Sequence, residues 1–310
     1  MGNLDRGQGE KAAGGILVKA HASFDKSKSG KKRKFSKDQA FKYVGRTPLY
    51  IACQNGYFDI VQLLVMAGAN KNTPDNNGWT PLHIACHHDH LKIVQLLIVA
   101  GADKDKANSD GETPLYRASH NVHLEVVRLL IVAGADKDMA IHEGRTPLRV
   151  ACEKGHLEIV QLLVMAGADK DKADIEGNTP LYFACQRGHR DIVQVLIDAG
   201  ADKDQAPCKG NYTGKTPLHV ACEKGHLEIV RLLVRVRVRV MAGADMDKAN
   251  NHGVTPLYIA CQNGYFEIVE LLVENGADKD KADDTRTTPL EIANQEGHIE
   301  IVQLLRLAAP

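Results

Sequence analysis

The tripeptide Thr-Pro-Leu recurs along this chain at a nearly constant spacing, and this periodicity restricts the fold more than any other feature of the sequence. Its eight threonines are separated by 33, 33, 33, 33, 37, 39 and 33 residues. Without four extra residues before Thr216 and six before Thr255, every spacing would be 33. A fixed period of this length predicts a stack of similar structural repeats. It replaces the roughly two globular domains that the chain length alone would suggest.

Residues 143–175 show how a single repeat is expected to fold. Gly144 permits a tight turn, Thr146 can cap a helix through its hydroxyl, and Pro147 suits the first helical turn. Gly155 is predicted to end that helix with a positive φ, and a second, mostly apolar helix follows. One repeat cannot bury so much apolar surface alone. Stacking on its neighbours buries this surface and produces a solenoid.

The repeats resemble the ankyrin repeat. The resemblance is carried by the period, by the core Thr-Pro-Leu-[His or Tyr]-x-Ala-Cys, by Gly-His-Leu-Glu-Ile-Val and by the closing Gly-Ala-Asp, over about 85% of the chain. It implies an all-α solenoid with β-turn fingers, a stack of paired antiparallel helices, and a concave face that binds other proteins. We expect this solenoid at residues 43–310, with repeats 1 to 8 at 44–76, 77–109, 110–142, 143–175, 176–212, 213–251, 252–284 and 285–310.

Several repeats depart from the ankyrin pattern. The usual Val-Asn after Gly-Ala-Asp is mostly Lys-Asp here, as at Lys104-Asp105, which makes the finger base more charged. Asp89 and Val122 replace the glycine between the two helices, and a valine with left-handed backbone is strained, so we expect distortion in repeat 3. The last repeat lacks its finger and the first has no obvious polar cap. Either residues 1–42 shield the first repeat or the chain is part of something longer.

Candidate partner-binding residues follow from the resemblance. In ankyrin repeats the concave face is drawn from the finger tip before Thr-Pro-Leu and from the end of the first helix. The residues at these places are Asn77, Trp79, His87, His88, Asp110, Glu112, His120, Asn121, His142, Arg145, Glu153, Lys154, Asn178, Gln186, Arg187, Lys215, Glu223, Lys224, His252, Val254, Gln262 and Asn263. Trp79, the only tryptophan, is either an exposed anchor, since such residues often dominate binding energy, or packs over the neighbouring finger.

The histidines divide into repeat positions and variable positions. Two repeat positions are expected to form hydrogen bonds between repeats, and they hold His83 and His219 in one case and His90, His123, His156, His189, His226 and His298 in the other. The variable histidines are His87, His88, His120 and His142. We expect a pH-sensitive binding face there in preference to a metal site. Although His83, Cys86, His87 and His90 have a loosely metal-like spacing, the same cysteine recurs in repeats without the extra histidines.

Neither the cysteines nor any other residue set predicts catalysis. Six cysteines are copies of one repeat position and are expected to be buried helical thiols, namely Cys53, Cys86, Cys152, Cys185, Cys222 and Cys261. No nucleophile with a base and an orienting group stands out. The segment 210–216 resembles a phosphate-binding loop but is one residue short, and its Gly214 and Thr216 belong to the repeat. We therefore expect no enzyme activity, metal, cofactor or small-molecule substrate.

Two insertions interrupt the period. Residues 207–210 lengthen one finger, either as a tolerated change or as a longer probe with Cys208 as an exposed thiol. Residues 235–240, Arg-Val-Arg-Val-Arg-Val, interrupt the second helix of repeat 6. Six residues are not a whole number of helical turns, so a bulge or an overhanging loop is expected. This segment is either a tolerated expansion or a basic ridge for an acidic partner.

The first 42 residues form a basic arm without repeat features. They hold eleven Lys/Arg and four Asp/Glu, a net charge of +7, whereas the whole chain is neutral. Such a composition predicts disorder. The run Lys31, Lys32, Arg33 and Lys34 is a nuclear import signal, part of a solvated tail, or a membrane-surface or calmodulin-type segment. Nucleic-acid binding is not expected, because one short basic run with one aromatic residue binds weakly and salt-sensitively.

These features predict a monomeric, non-enzymatic scaffold or adaptor that binds a protein partner on the concave ankyrin face. No apolar run is long enough to span a bilayer and no secretory signal is present, so a cytoplasmic or nuclear location is expected. One alternative is a nuclear regulatory cofactor imported through the basic arm. Another is a fragment of a larger enzyme or channel subunit, since both ends of the array look uncapped.

Overall fold

The computed structural model describes residues 45–207, 214–235 and 243–307. Within these ranges it contains sixteen helices and no strand, and none of these helices is long and apolar enough to cross a bilayer. The predictions for residues 1–42, for Cys208 and for most of 235–240 lie outside these ranges. The helices are α1 (Pro48–Gln54), α2 (Phe58–Met66), α3 (Pro81–His87), α4 (Leu91–Val99), α5 (Pro114–His120), α6 (Leu124–Val132), α7 (Pro147–Lys154), α8 (Leu157–Met165), α9 (Pro180–Arg187), α10 (Arg190–Asp198), α11 (Pro217–Glu223), α12 (Leu227–Val234), α13 (Pro256–Asn263), α14 (Phe266–Glu274), α15 (Pro289–Gln295) and α16 (Ile299–Leu307).

The described residues form two compact units, an N-terminal unit at 45–136 and a C-terminal unit at 137–307. The N-terminal unit contains α1 to α6, and the C-terminal unit contains α7 to α16. Within each unit the two helices of a repeat contact each other, and each also contacts the equivalent helix of the neighbouring repeat. This arrangement confirms the predicted all-α fold class, in which helix pairs are stacked so that neighbours bury each other's apolar surfaces.

The first helix of every repeat begins at Thr-Pro-Leu in the way predicted for repeat 4. The hydroxyl of Thr146 accepts a hydrogen bond from the backbone N–H of Arg149 at 3.1 Å, and Pro147 occupies the first helical position. In α3 the cap is reciprocal, because Nδ1 of His83 also accepts from the backbone N–H of Thr80. The threonine and proline therefore act locally, before any contact with a neighbouring repeat is made.

The turn between the two helices needs left-handed backbone, as predicted. Gly155 ends α7 with a φ of 82°. Asp89 and Val122 adopt the same conformation without being glycine, with φ of 58° and 68°. Arg286 is a third such residue, at a finger position where the earlier repeats have glycine, and the sequence analysis did not single it out. The strain expected at Val122 is therefore present in the backbone.

The core of each unit is built from the same few positions in each repeat. In repeat 4, Leu148 and Cys152 of the first helix and Val160 and Leu163 of the second helix are completely buried. All six cysteines at the repeat position are buried free thiols, which confirms their predicted role. Burial raises their pKa, in the case of Cys261 to about 12, so these thiols stay protonated and unreactive at neutral pH.

Six of the eight histidines at the repeat positions, His156 and His226 not among them, connect neighbouring repeats by the predicted hydrogen bonds. Nε2 of His90 contacts the carbonyl oxygen of Gln54 at 3.3 Å, and Nε2 of His189 makes the same contact with Glu153 at 3.2 Å. His123 and His298 form equivalent bonds. In the other position, Nε2 of His83 lies 2.9 Å from the carbonyl oxygen of Glu112 in the next repeat.

The Lys-Asp pairs at the finger base also join repeats. Oδ1 of Asp138 accepts a hydrogen bond from the backbone N–H of Asp169 in the next repeat at 2.8 Å. The same bond recurs along the C-terminal unit, for example from Asp202 to Asp171. The ammonium group of Lys172 bonds to the carbonyl oxygen of Asp138. Asn72 makes the same bond to Asp103, so aspartate at this position keeps an inter-repeat bond that the usual asparagine also makes.

The six-residue insertion does not disrupt the hydrogen bond that closes the second helix of repeat 6. Helix α12 ends at Val234, and Arg235 has extended backbone. The backbone N–H of Ala244 then bonds to the carbonyl oxygen of Leu233 at 2.9 Å. Ala201 makes the same 2.9 Å bond to Leu196 in an uninterrupted repeat. The closing hydrogen bond of the second helix is therefore kept across the additional residues.

Candidate functional site

A short polar side chain at the start of the turn shapes the described finger tips, except the one that begins with Ile141. Oδ1 of Asp174 accepts hydrogen bonds from the backbone N–H groups of Glu176 at 3.0 Å and Asn178 at 2.9 Å. The backbone N–H of Asp174 in turn bonds to the carbonyl oxygen of Asn178. Asp75 in the N-terminal unit forms the same turn around Trp79. These turns place the residue before Thr-Pro-Leu beside the first helix.

The predicted contact residues differ in exposure. Those that are exposed are Asn77, His88, Asp110, His142, Lys154, Arg187, Lys224, His252, Gln262 and Asn263. Those that are partly buried are Trp79, His87, Glu112, His120, Asn121, Arg145, Glu153, Gln186, Lys215, Glu223 and Val254. Asn178 differs from the expectation: it is 1% exposed, and its side chain donates to Glu176, because the finger turn directs it inward. It cannot touch a partner in this conformation.

Trp79 is enclosed by neighbouring side chains on three sides. The guanidinium carbon of Arg117 lies 4.7 Å from the centre of its ring, and the ring of His87 meets it edge-on at 5.4 Å. The ring of His83 is 6.0 Å away. Glu112 forms an ion pair with Arg117 at 2.9 Å. Trp79 therefore presents only part of its ring, and its contacts are with first-helix residues of repeats 2 and 3.

Five histidines of repeats 2 and 3 form what we call the imidazole cluster, and His87 among them contacts Trp79: His87, His88, His90, His120 and His123. The rings of His87 and His88 are 4.9 Å apart, and those of His88 and His90 are stacked at 5.9 Å. Burial lowers the pKa of His87, and repulsion from His88 and Arg117 lowers it further. Burial and then His90 lower the pKa of His88. Both rings are therefore neutral at pH 7.

Asn121 connects three groups within the cluster. Its amide Nδ2 lies 2.9 Å from Nδ1 of His87 and 3.2 Å from the carbonyl oxygen of His87. Its Oδ1 lies 3.0 Å from Nδ1 of His120. Residues predicted as contact positions in repeats 2 and 3 thus bind one another directly. This network lies entirely within the N-terminal unit.

The C-terminal unit carries an ionic network at the equivalent place. Arg149 is 4% exposed, and its guanidinium carbon lies 3.7 Å from the centre of the Phe183 ring. It forms ion pairs with Glu153 at 2.8 Å and with Asp174 at 3.5 Å. Glu153 also pairs with Arg187 of the next repeat at 3.1 Å. Two predicted contact residues are therefore held in place by a buried arginine.

The sequence analysis missed Arg117 and Arg149, although a signal for both was present. Arg117 stands at a first-helix position that is Ile51, Ile84 or Val150 in other repeats. Arg149 likewise occupies a position that is tyrosine or histidine in most repeats. A charged residue that breaks the repeat pattern inside a helix needs a specific partner, and this departure could have identified both residues.

Further along the C-terminal unit, charged contact residues are also paired. Glu223 binds both Lys215 and Lys224. Burial alone would raise its pKa, but the hydrogen bonds from the two lysines outweigh that effect and lower it. Arg145 pairs with Glu143 across the finger tip. Neighbouring charges therefore restrain these long side chains before any partner binds.

The arrangement is suited to contact rather than to metal chemistry. Among the described residues, no three His, Cys, Asp or Glu side chains are placed to hold a metal ion. The groups available to a partner are ring faces, amides, imidazoles and ion-paired side chains. Such groups bind through hydrogen bonds and packing.

Comparison with known proteins identifies the repeats. A family model described as "Ankyrin repeats (3 copies)" matches residues 17–108, 93–174, 166–242 and 236–309. The "Ankyrin repeat and KH domain-containing protein mask-1" of Caenorhabditis elegans is 40% identical over 65 residues. That alignment covers 21% of this chain and 2% of the relative, so the chain spans only a small part of the relative's length.

Proposed function

This chain belongs to the ankyrin-repeat family, and on that premise we propose that it is a non-enzymatic scaffold or adaptor that binds a protein partner. Ankyrin repeats are generally protein-interaction modules. We propose as the binding face the finger tips and first-helix ends of both units. We further propose that the chain acts as a monomer in the cytoplasm or the nucleus, without a cofactor.

One observation carries the proposal: contact residues from consecutive repeats bind each other. His87 meets Asn121 between repeats 2 and 3, and Glu153 meets Arg187 between repeats 4 and 5. Side chains that are already restrained lose less conformational entropy when a partner docks. A surface of this kind supports binding to a folded protein or a peptide.

The two units offer different chemistry to a partner. In the N-terminal unit the face consists of Trp79, imidazoles and amides. In the C-terminal unit it consists of paired charges, including Arg145 and Arg187. We infer that a partner matches these surfaces by hydrogen bonds and charge complementarity, which set specificity more than affinity.

A second candidate is that the chain is one part of a larger protein. The length of the Caenorhabditis elegans relative favours it, because the 65 aligned residues cover only 2% of that protein. In that case the repeats would recruit a partner for an activity that another part of the larger protein performs.

A third candidate is a nuclear cofactor imported through the basic run Lys31, Lys32, Arg33 and Lys34. It predicts that deletion of residues 26–37 changes the localisation of the protein. Unchanged localisation would count against it.

The experiment that tests the binding face is a native-lysate capture with the full chain, followed by mass spectrometry. The test variant carries Trp79→Ala, His88→Ala and Arg145→Glu. The matched control carries substitutions of exposed second-helix residues, Lys92→Ala, Gln95→Ala and Gln161→Ala. Circular dichroism confirms that all three proteins are folded.

We expect a partner that the unaltered chain and the second-helix control both capture and that the face variant loses. Recovery by all three proteins in equal amounts would contradict the assignment of the face. If neither variant captured the partner, the partner would contact the second helices as well as the proposed face.

A further inference from the structure

We infer that the network of His87, Asn121 and His120 is a pH-responsive joint between repeats 2 and 3, which opens on acidification and weakens partner binding at the N-terminal unit. The effect on binding rests on the proposed function. The opening of the joint involves no partner and can be tested separately.

The hydrogen-bond geometry determines which ring nitrogens of His87 and His120 carry a proton. Nδ2 of Asn121 faces the carbonyl oxygen of His87, which can only accept a hydrogen bond, so the amide nitrogen must point toward His87. The same Nδ2 therefore donates to Nδ1 of His87 as well. That nitrogen carries no proton, and the neutral His87 ring holds its proton on Nε2. Oδ1 of Asn121 accepts from the Nδ1–H of His120.

Protonation of His87 is incompatible with this network. A second proton on the ring must go to Nδ1, where it would face the N–H groups of Asn121 at 2.9 Å. Rotating the amide by half a turn would bring its oxygen against the carbonyl oxygen of His87. Its nitrogen would then face Nδ1 of His120, which could accept only if that ring moved its proton to Nε2. A charged His87 is therefore incompatible with the Asn121 hydrogen bonds that join the two first helices.

The charges around His87 add to this effect. The titratable groups that face it are His88 on its own repeat and Arg117, His120 and His123 on the next repeat, and each of them lowers the pKa of His87. The nearby carboxylates are engaged elsewhere, because Glu112 pairs with Arg117 and Asp89 lies 3.8 Å from His123. A positive charge on His87 is repelled, so opening of the joint is favoured as pH falls.

The chain contains a matched joint that lacks this sensitivity. Glu153 and Arg187 are 34 residues apart and occupy the same repeat positions as His87 and Asn121. A carboxylate and a guanidinium keep their charges between pH 5 and pH 8, whereas imidazole titrates there. Replacing the first pair by the second, as His87→Glu with Asn121→Arg, should give a joint that is stable in acid.

The test is hydrogen exchange of the full chain, measured by mass spectrometry at pH 7.5 and pH 5.5 and corrected for intrinsic exchange rates. The peptides of interest cover residues 81–90 and 114–124. Peptides over 147–155 and 180–189 report the Glu–Arg joint. If His87 takes up its proton only in the open joint, with an ordinary imidazole pKa near 6.5, protonation favours opening by at most about tenfold at pH 5.5.

In the first two peptides we expect the unaltered chain to lose up to about tenfold more protection than the double variant, with no such difference over the Glu–Arg joint. The buried His83 is present in both proteins, so its contribution cancels in this comparison. His87→Gln serves as a second variant if the pair does not fold, because Gln54 and Gln186 occupy this position in other repeats. Its amide oxygen accepts from Asn121 but does not titrate. Equal losses in the unaltered chain and the variants, or no loss in any, would overturn the inference.

Partner capture at the same two pH values tests the consequence for binding. The unaltered chain should release its partner at pH 5.5, and the double variant should retain it. If nothing is captured at pH 7.5, the proposed function fails while hydrogen exchange still decides the inference about the joint. If the partner is retained by both at pH 5.5, the joint does not control binding and that part of the inference is wrong.

Discussion

At the scale of single residues, the side chain after Thr-Pro-Leu determines how a repeat meets the next finger. Tyr50 hydrogen-bonds to Asp75, and its pKa is raised by burial and then by that carboxylate. Arg149 pairs with Asp174, which occupies the same finger position. His83 instead bonds to a backbone carbonyl, where the finger carries an asparagine. In these three repeats the side chain thus matches the finger that it meets.

Two buried histidines should make stability depend on pH. In His83 and His219, Nδ1 accepts from a backbone N–H and Nε2 donates to a carbonyl oxygen, so each ring is neutral. Burial is the main cause that lowers both pKa values to about 4. Because the unfolded value is about 6.5, the unfolded chain binds more protons in acid. The stabilisation is complete above pH 6.5 and is lost as pH falls toward 4.

We expect each histidine to account for on the order of 3 kcal/mol of that loss. The measurement is urea unfolding at several pH values, with Trp79 fluorescence reporting the N-terminal unit. His83→Tyr with Asn108→Asp, which copies the Tyr50–Asp75 pair, should reduce the dependence in that unit. A pH profile identical to that of the unaltered chain would contradict the assignment.

Arg149 should be required for stability, although its charge is not. Removing it as Arg149→Ala takes the guanidinium away from Asp174 and leaves Glu153 with Arg187 alone, and breaking a buried pair in this way costs about 3 kcal/mol or more. Arg149→Tyr should cost about 1 kcal/mol, since a tyrosine can bond to the finger aspartate as Tyr50 does. Chemical unfolding followed by circular dichroism compares the two. An equal loss of unfolding free energy in the two variants would show that tyrosine cannot replace the guanidinium.

At the scale of elements, the turn between α5 and α6 has a strained residue that can be relieved. Val122 has a φ of 68° and is 54% exposed, so it gains little from burial. Val122→Gly should stabilise the chain by about 1 kcal/mol because glycine adopts this conformation without a steric cost. Gly155→Val should destabilise it, and its Cβ would also meet the His189 ring at 2.7 Å. Thermal unfolding of both variants tests this, and a destabilised Val122→Gly would contradict it.

The insertion in repeat 6 should be dispensable for folding. Deleting residues 235–240 leaves Leu-Leu-Val-Met-Ala-Gly-Ala-Asp, the sequence that closes repeat 4. Because Ala244 already bonds to Leu233, helix α12 can then continue to the normal end of the repeat. We expect helicity and the unfolding midpoint to be unchanged or slightly raised, since the loop to be closed is shorter. A chain that no longer folds after this deletion would show that the segment has a structural role.

At the scale of the whole molecule, identical architecture supports two different surfaces. Both units use the same caps, the same buried positions and the same finger turns. The N-terminal unit nevertheless presents the imidazole cluster, and the C-terminal unit presents ion pairs around Arg149 and Glu223. The residues that differ between the two units lie at positions where the repeat pattern does not specify the residue type. Those are the positions that we propose as contacts for a partner.

The sequence by itself determined the local and periodic features of this protein. Thr146 and Pro147 start a helix, Gly155 ends it, and the buried positions recur with the 33-residue period, because these effects depend on neighbours along the chain. The helix pairs, the buried cysteines and the histidine bonds between repeats could therefore be predicted. The candidate binding positions follow from register within the repeat together with the resemblance to ankyrin repeats, and they stay a prediction.

Only the tertiary structure decided how those positions interact. The guanidinium of Arg117 over Trp79, the link between His87 and Asn121, and the inward orientation of Asn178 all depend on contacts between repeats or within a folded turn. Periodicity places side chains in register but does not specify which donor meets which acceptor. That choice depends on distances of a few ångströms between residues some 30 positions apart, and stacking of the repeats sets them.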